Sequence, residues 1–422
     1  MRIAFIEAQD PQRPRQLFMP LGLAYLQGWL ERCGHQTKLA KTWQEALDFA
    51  PQVLGVSAVS PNFPQAVNLA QIWHQHSDAP IILGGPHITS APQTLPDEFL
   101  AGVRGEGERT CAELLRALET GTALSQVAGL VLHDPTATNG VALTPDRPSL
   151  TTLDELPFPQ RTWSQPGLPV WSFSSRGCPF RCTFCSTANF WQSYRLHSPD
   201  YVARELASIL EQHRPPMHIF MDDLFAANLE RLRELKGRFR ERLPYAVPLS
   251  ATVRADLVSE AICRELKELN VRHCHLGLES GSDKVLSYLK AQTTTAEINQ
   301  RALDMLHTQG IAAVGSFIIG APNEEEEDIK ATWNFLTTNL QAGKLQSFSF
   351  GPLVAFPGTQ VWEDACARGL IDPDNVDWRS LDIDLRAFNL EKYTLLSPLP
   401  RERFGFWFAK MHRCWHECLN LN

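Results

Sequence analysis

No apolar run in the 422-residue sequence approaches the ~18 residues that a membrane-crossing helix requires. The first apolar stretch, within MRIAFIEAQDPQ, is also too short for a signal peptide. A membrane role and export are therefore not expected. Basic charge is not in excess: 39 Lys and Arg face 47 Asp and Glu, for a net charge of −8. That balance argues against nonspecific binding to nucleic acid, which wants a basic surface. The ten cysteines are dispersed and do not form the framework of a small disulfide-stapled domain. Only Cys33 and Cys111 precede residue 178, so the first third of the chain lacks a cysteine triad. No G-x-G-x-x-G follows the first strand-like run, which disfavours a dinucleotide site. A reducing cytoplasm is the expected compartment.

Against these absences stands one dense stretch, RGCPFRCTFCS, from Arg176 to Ser186. It places Cys178, Cys182 and Cys185 at C-x3-C-x2-C spacing, after a strand-like Val170–Phe173. Thiolates alone select zinc or an iron–sulfur cluster. Structural zinc wants a fourth Cys or His close by, and none follows at finger spacing. Three ligands predict a cluster with one iron open to a substrate.

After this loop, strand and helix patterns alternate. Strands are predicted at Met217–Met221, Pro248–Val253, Arg272–Leu278, Ala312–Ile319 and Gln346–Phe350, with helices between them. With the strand that leads into the loop, these give six strands of a partial parallel barrel. In such folds chemistry sits at the carboxyl ends of the strands. Those ends carry Asp222 and Asp223, Arg254, Glu279, and Gly320 with Pro322.

The first 150 residues alternate in the same way, with strands at Arg2–Ile6, Gln52–Ser57, Pro80–Leu83 and Ala101–Arg104. They predict a doubly wound, Rossmann-like parallel sheet covered by helices on both faces. Ligands of such sheets bind beyond the strand ends. Ser57, Ser60, Gly84, Gly85, His87, Gly105, Glu106 and Gly107 lie there. The expected organisation is a Rossmann-like domain over 1–150, a Pro-rich linker over 151–168, the partial barrel over 169–360, and a C-terminal extension or lid over 361–422. The whole is an α/β protein with a small helical tail.

The loop CPFRCTFC resembles the cluster loop of the radical S-adenosylmethionine enzymes. The resemblance implies a [4Fe-4S] cluster on Cys178, Cys182 and Cys185, with the fourth iron chelating S-adenosylmethionine. One electron then cleaves the sulfonium to a 5′-deoxyadenosyl radical. It further implies that Phe184 packs near the adenine. Asp222 and Asp223 would accept from the cofactor's amine, and Glu279 from the amine or the ribose hydroxyls. Arg254 would meet its carboxylate or a substrate anion, and Gly320 and Pro322 would shape the adenine loop. Upstream, PLGLAYLQGWLERCGH, LGVSAVSPNF, ILGGPHIT and VRGEGERT resemble the cobalamin-binding domain that precedes many radical enzymes. The D-x-H-x-x-G motif that supplies a cobalt ligand in other cobalamin proteins is missing, and Glu7–Met19 contains no His. His87 is then either an axial ligand or a cap of the Gly85–Pro86 turn.

Together the two resemblances imply a cobalamin-dependent methyltransferase acting on an unactivated carbon or phosphorus of a small molecule or peptide. An electron donor such as flavodoxin or ferredoxin would serve it. Rival outcomes are oxidative cyclisation, rearrangement, transfer of the 3-amino-3-carboxypropyl arm, or a noncatalytic corrinoid or metal sensor. Methylthio transfer is disfavoured, because it calls for a second cysteine triad near the N-terminus. The tail holds Trp362, Trp378, Trp407 and Trp415 with Phe404, Phe406 and Phe408, either an aromatic lid or core packing of a terminal helix. Cys414 and Cys418, at i and i+4, are incidental or hold a thiophilic acceptor.

Overall fold

The computed structural model describes residues 1–9, 19–383 and 395–420. Most of the histidine-free loop after the first strand lies outside the described residues. The chain forms two compact units. The first comprises residues 1–164, 189–193 and 376–382; the second comprises 165–188, 194–375 and 383–422.

The first unit opens with β1 (Arg2–Glu7), α1 (Leu21–Arg32), β2 (Gln36–Leu39), α2 (Trp43–Asp48) and β3 (Val53–Ser57). It continues with α3 (Phe63–His74), β4 (Ile81–Gly84), α4 (Pro86–Ser90), β5 (Ala101–Val103), α5 (Gly107–Thr120) and the hairpin β6 (Leu130–His133)–β7 (Val141–Leu143). The sheet order is β2-β1-β3-β4-β5-β6-β7. Strands β1 to β5 pair in parallel, while β6 and β7 run antiparallel at the edge. The apolar runs in β1, β3 and β4 are buried because helices cover both faces of the sheet. Strand β1 lies between β2 and β3, so connections leave it in opposite directions and open a crevice at the strand ends. The edge strand β2 is polar (Gln-Thr-Lys-Leu), which hid it from a periodicity reading.

The second unit begins with β8 (Val170–Ser172) and the short strand β9 (Ser175–Arg176), then α6 (Thr187–Trp191), whose later residues fall in the first unit. Strand β10 (Arg195–Leu196) pairs antiparallel with β9. There follow α7 (Pro199–His213), β11 (His218–Phe220), α8 (Leu229–Arg242), β12 (Leu249–Val253), α9 (Glu260–Glu268) and β13 (Val271–Glu279). The unit continues with α10 (Asp283–Leu289), α11 (Ala296–Thr308), β14 (Ala312–Ile319), α12 (Glu326–Gln341), β15 (Ser347–Pro352) and α13 (Gln360–Ala367), and ends with α14 (Arg401–Asn420). Six parallel strands stand in the order β8-β11-β12-β13-β14-β15, which is the open half-barrel read from the sequence.

The helices start where their caps dictate. Ser198, Asn228, Ser259, Thr295 and Thr359 each accept from an amide in the first turn of the helix that follows. Such a cap contributes about 1 kcal/mol. The acidic run at 324–328 divides its labour. Glu325 and Asp328 close a reciprocal capping box, so α12 begins at Glu326, two residues later than its charge pattern suggests. Glu324 stays outside the helix and is fully buried.

One face of the half-barrel sheet is apolar. Ala251, Val253, Cys274, Leu276, Phe317 and Phe348 pack there against the surrounding helices, with Cys263 of α9. Helix α14 joins that core through Phe404, Trp407, Phe408 and Met411, with Cys414, Trp415 and Cys418 partly buried against it. Those aromatics therefore pack the core and form no lid. Trp378 belongs to the first unit, where its indole stands edge-on to His87 (4.7 Å) and Phe63 (6.1 Å).

Candidate active site

Strand β8 stops at Ser172, and the chain turns through Ser174 into β9 and then Gly177. A φ of +86° at Gly177 lets it reverse without a Cβ clash. The turn is held from the end of β11. Asp222 accepts from the amides of Ser174 (2.6 Å) and Ser175 (3.2 Å) with one oxygen, and from the Ser174 hydroxyl with the other. It is 3% exposed, and burial pushes its carboxyl up to about 6. The sequence had placed Asp222 toward a bound amine; its oxygens are spent on this turn instead. Asp223, beside it, accepts from the Thr187 hydroxyl at 3.1 Å just beyond the last cysteine.

Each thiol of the triad receives an N–H. Cys178 accepts from the amide of Phe180, Cys185 from the amide of Thr187, and Cys182 from Nη1 of Arg254 at 3.3 Å. Burial raises the Cys178 and Cys185 thiols above the ordinary range. The thiolates of a cubane cluster bind different irons and need not converge on one point. Among the described residues no three His, Cys, Asp or Glu side chains gather round a single ion. A lone-metal site does not suit this loop, whereas three spread, N–H-bonded thiols fit a [4Fe-4S] cluster. The segment between the last two thiols is pinned: Thr183 donates its amide to Leu289 O (3.0 Å) and accepts from the amide of Val361 (3.2 Å). That fixes half-buried Phe184 one residue on.

The other predicted strand-end residues gather in the same unit with different partners. Arg254 is bidentate to Asp256 (3.0 Å at both oxygens) and donates to Thr293 (2.8 Å). Most of its donors are thus committed within the protein and not held for a free carboxylate. Glu279 forms a buried ion pair with Lys290 at 2.9 Å, where the sequence reading had left it open to ribose or amine. It holds a left-handed φ of +57° at a bulge between β13 and β14. Gly320 donates its amide to Glu324. Burial pushes the Glu324 carboxyl up to about 8, and Pro322 lies within the loop these two residues close. Lys290, Asp256, Thr293 and Glu324 were missed, since nothing in their spacing marks them.

The sheet face opposite the helices is half-open and mixes polar with apolar side chains. The register aligns Trp171 with Ile219, Thr252 with His275 and Val314, and Gly277 with Ser316 and Ser349. His275 bonds Ser250 at 3.1 Å, and burial lowers both His275 and His273, favouring neutral rings. The period-two polar positions of RHCHLGL were a signal that could have found this face.

In the first unit the strand ends are lined by backbone. Gly85, at φ +97°, allows β3 and β4 to meet; a Cβ there would lie 2.8 Å from Ala58 O. A Cβ on Gly105 would meet only open space. The Gly105 amide donates to Thr89 (2.9 Å), and Glu106, at the N-cap of α5, accepts from the Leu150 amide (2.9 Å). Gly107 opens that helix. Ser57 ends β3, Gly84 ends β4, and Ser60 bonds His87. His87 is fully buried, with Nδ1 3.1 Å from Ser60 Oγ, Nε2 2.9 Å from Thr94 Oγ1, and its ring stacked on Phe63 at 3.9 Å. Burial lowers it to about 3. Both ring nitrogens are spent, so His87 is an internal brace and not an axial ligand. A glycine-lined strand end that presents no imidazole among the described residues fits a corrinoid bound without a histidine ligand.

A three-thiol loop in an open β/α half-barrel, on a chain that also carries such a sheet, defines an enzyme of two cofactor modules. Residues 172–336 match the radical SAM superfamily, and residues 14–115 match the B12 binding domain. An uncharacterized methyltransferase of Pyrococcus horikoshii is 30% identical over 406 residues, covering 90% of this chain and 82% of its own. The anaerobic magnesium-protoporphyrin IX monomethyl ester cyclase of Rubrivivax gelatinosus is 27% identical, over 79% of this chain and 65% of its own. Among solved structures, the radical S-adenosylmethionine methyltransferase TsrM from Kitasatospora setae shares the fold. It has a TM-score of 0.73 at 18% identity, over 87% of this chain and 76% of that one. The chain belongs to the radical SAM superfamily, in the group whose barrel follows a B12-binding domain. Its cofactors are a [4Fe-4S] cluster, S-adenosylmethionine and cobalamin. No helix among the described residues is long and apolar enough to cross a membrane.

Proposed function

We propose that the protein transfers a methyl group to an unactivated carbon or phosphorus of a small-molecule or peptide substrate. The observation that carries this reading is the pairing, in one chain, of the thiol triad with a glycine-lined B12-type sheet, over a span matching a relative named a methyltransferase. The bound cofactors supply a carbon-centred radical and a transferable methyl group. The protein's own part is geometric. Asp222 and the Thr183 backbone bonds set the cysteine loop. Phe184 and the Gly320–Glu324 loop offer apolar and backbone contacts to an adenine. The face of Thr252, His275, Ser316 and Ser349 offers hydrogen bonds to a substrate, beside the mutually neutralised Glu279–Lys290 pair over Gly277. An external one-electron donor of the flavodoxin or ferredoxin type completes the set.

The likeness to the cyclase supports a second reading, oxidative ring formation by the same radical start. Methylthio transfer is disfavoured, because only Cys33 and Cys111 precede the loop in this sequence and no second cysteine triad does. The test is anaerobic reconstitution with iron, sulfide and hydroxocobalamin, followed by reaction with methyl-deuterated S-adenosylmethionine and a reductant. Methyl transfer requires stoichiometric cobalt, S-adenosylhomocysteine that depends on cobalamin, and 5′-deoxyadenosine. Protein that forms 5′-deoxyadenosine but excludes cobalamin, with no S-adenosylhomocysteine, would shift the assignment to the second reading.

A further inference from the structure

We infer that Arg254 is a tuning residue of the cluster, set to donate to the sulfur of Cys182 and so make the bound cluster easier to reduce. The inference rests on the cluster assignment above and deepens it. The three thiols do not get their N–H donors in the same way. Cys178 is served by the amide of Phe180 and Cys185 by the amide and hydroxyl of Thr187, all uncharged donors two residues further along the chain. Cys182 is served by a side chain from another strand end, 72 residues away. That donor alone of the three brings a full positive charge, and a point substitution removes it with the loop backbone intact.

The guanidinium is held for this task. Nε and Nη2 grip both oxygens of Asp256 at 3.0 Å, and Nη2 also donates to Thr293 at 2.8 Å. Its plane lies over the ring of Phe180, 3.6 Å from the centroid, within the cysteine loop itself. A bidentate carboxylate, a hydroxyl and an aromatic face leave little rotational freedom, and Nη1 is what remains to point at Cys182. Arg254 is 7% exposed, so its interaction with the sulfur is little screened by water.

The direction of the effect follows from charge. Reduction adds one electron, supplied from outside, to a cluster already carrying thiolate charge. A cation and an N–H on a ligating sulfur favour the more negative state and raise the potential. A cofactor carboxylate could engage the one Nη1 hydrogen not pointed at Cys182, but it would find the rest of the fork occupied.

The test is an electron paramagnetic resonance redox titration of anaerobically reconstituted full-length protein, without S-adenosylmethionine. Compared with wild type, R254M lowers the reduction equilibrium constant about tenfold, a 59 mV fall for a one-electron couple. T293A, which releases one anchor and keeps the charge, gives a smaller shift of the same sign and stands in if R254M fails to take up full iron. Unchanged potentials in the reconstituted variants overturn the inference; weaker S-adenosylmethionine binding alongside them would make Arg254 a carboxylate ligand instead. A wild-type protein that binds no cluster would refute the functional assignment, a separate failure from equal potentials in loaded proteins.

Discussion

Asp222 and Ser174 are joined by two hydrogen bonds, amide to one carboxylate oxygen at 2.6 Å and hydroxyl to the other. The pair holds the turn between the first barrel strand and the cysteines, so its protonation state bears on the loop. Burial raises the Asp222 carboxyl from 3.8 to about 6. A raised carboxyl stabilises the fold below its unfolded value, and that contribution is lost as pH climbs through the folded value. Protection of the Ser174 and Ser175 amides, corrected for the intrinsic acceleration of exchange with pH, should therefore fall between about pH 4 and 6. Asp222→Asn keeps an acceptor for the amides, and the serine hydroxyl can turn to accept from the new amide. The variant should flatten that pH dependence in hydrogen-exchange mass spectrometry; an unchanged profile would clear Asp222 of the effect.

His87 carries the opposite sign. Its folded value, about 3, lies below the ordinary 6.5, so its contribution is present at neutral pH and lost as pH falls from 6.5 toward 3. His87→Leu removes the bonds to Ser60 and Thr94, a loss of about 2 kcal/mol at ~1 kcal/mol for each bond. The cobalt(II) electron paramagnetic resonance of cobalamin-loaded protein should show no imidazole splitting in wild type and no change in the variant. Splitting that disappears on substitution would make His87 a ligand after all.

The buried pair Glu279–Lys290 sits over Gly277, where an added Cβ would clash with a Glu279 carboxylate oxygen. Lys290→Met leaves the carboxylate unpaired and should cost ~3–5 kcal/mol in urea unfolding. The double variant E279Q/K290M should recover much of that loss. A double variant as unstable as the single would mean that packing of the lysine stem, not charge, sets the cost.

Replacing Cys178, Cys182 and Cys185 together by alanine should abolish iron binding and 5′-deoxyadenosine formation while leaving cobalamin uptake by the first unit intact. Retained cleavage of S-adenosylmethionine would sink the cluster assignment.

The strand–helix alternation made both sheets legible because a strand buried on both sides is apolar along its whole length, as in β3 and β4. The cysteine triad was legible because ligand spacing within a short loop is a local property. The roles of Asp222, Glu279 and Arg254 were not. Each lies at the expected strand end, but its partner comes from a distant segment: Ser174, Lys290, or Asp256 with Thr293 and Cys182. A polar residue at a strand end looks the same in sequence whether it faces a ligand or braces a turn. Trp378 shows the same limit, since an indole in an aromatic-rich tail carries no mark of the sheet it will join.

The placing of Trp378 bears on how the protein can be cut. The chain passes between its two units at 164/165, 188/189, 193/194, 375/376 and 382/383. A truncation after residue 164 would yield a B12-type fragment in which Phe63 and His87 have lost the indole that covers them. Neither half corresponds to a contiguous gene segment. The recombinant unit that preserves both is the intact chain; a first-unit fragment would need residues 189–193 and 376–382 restored as separate peptides.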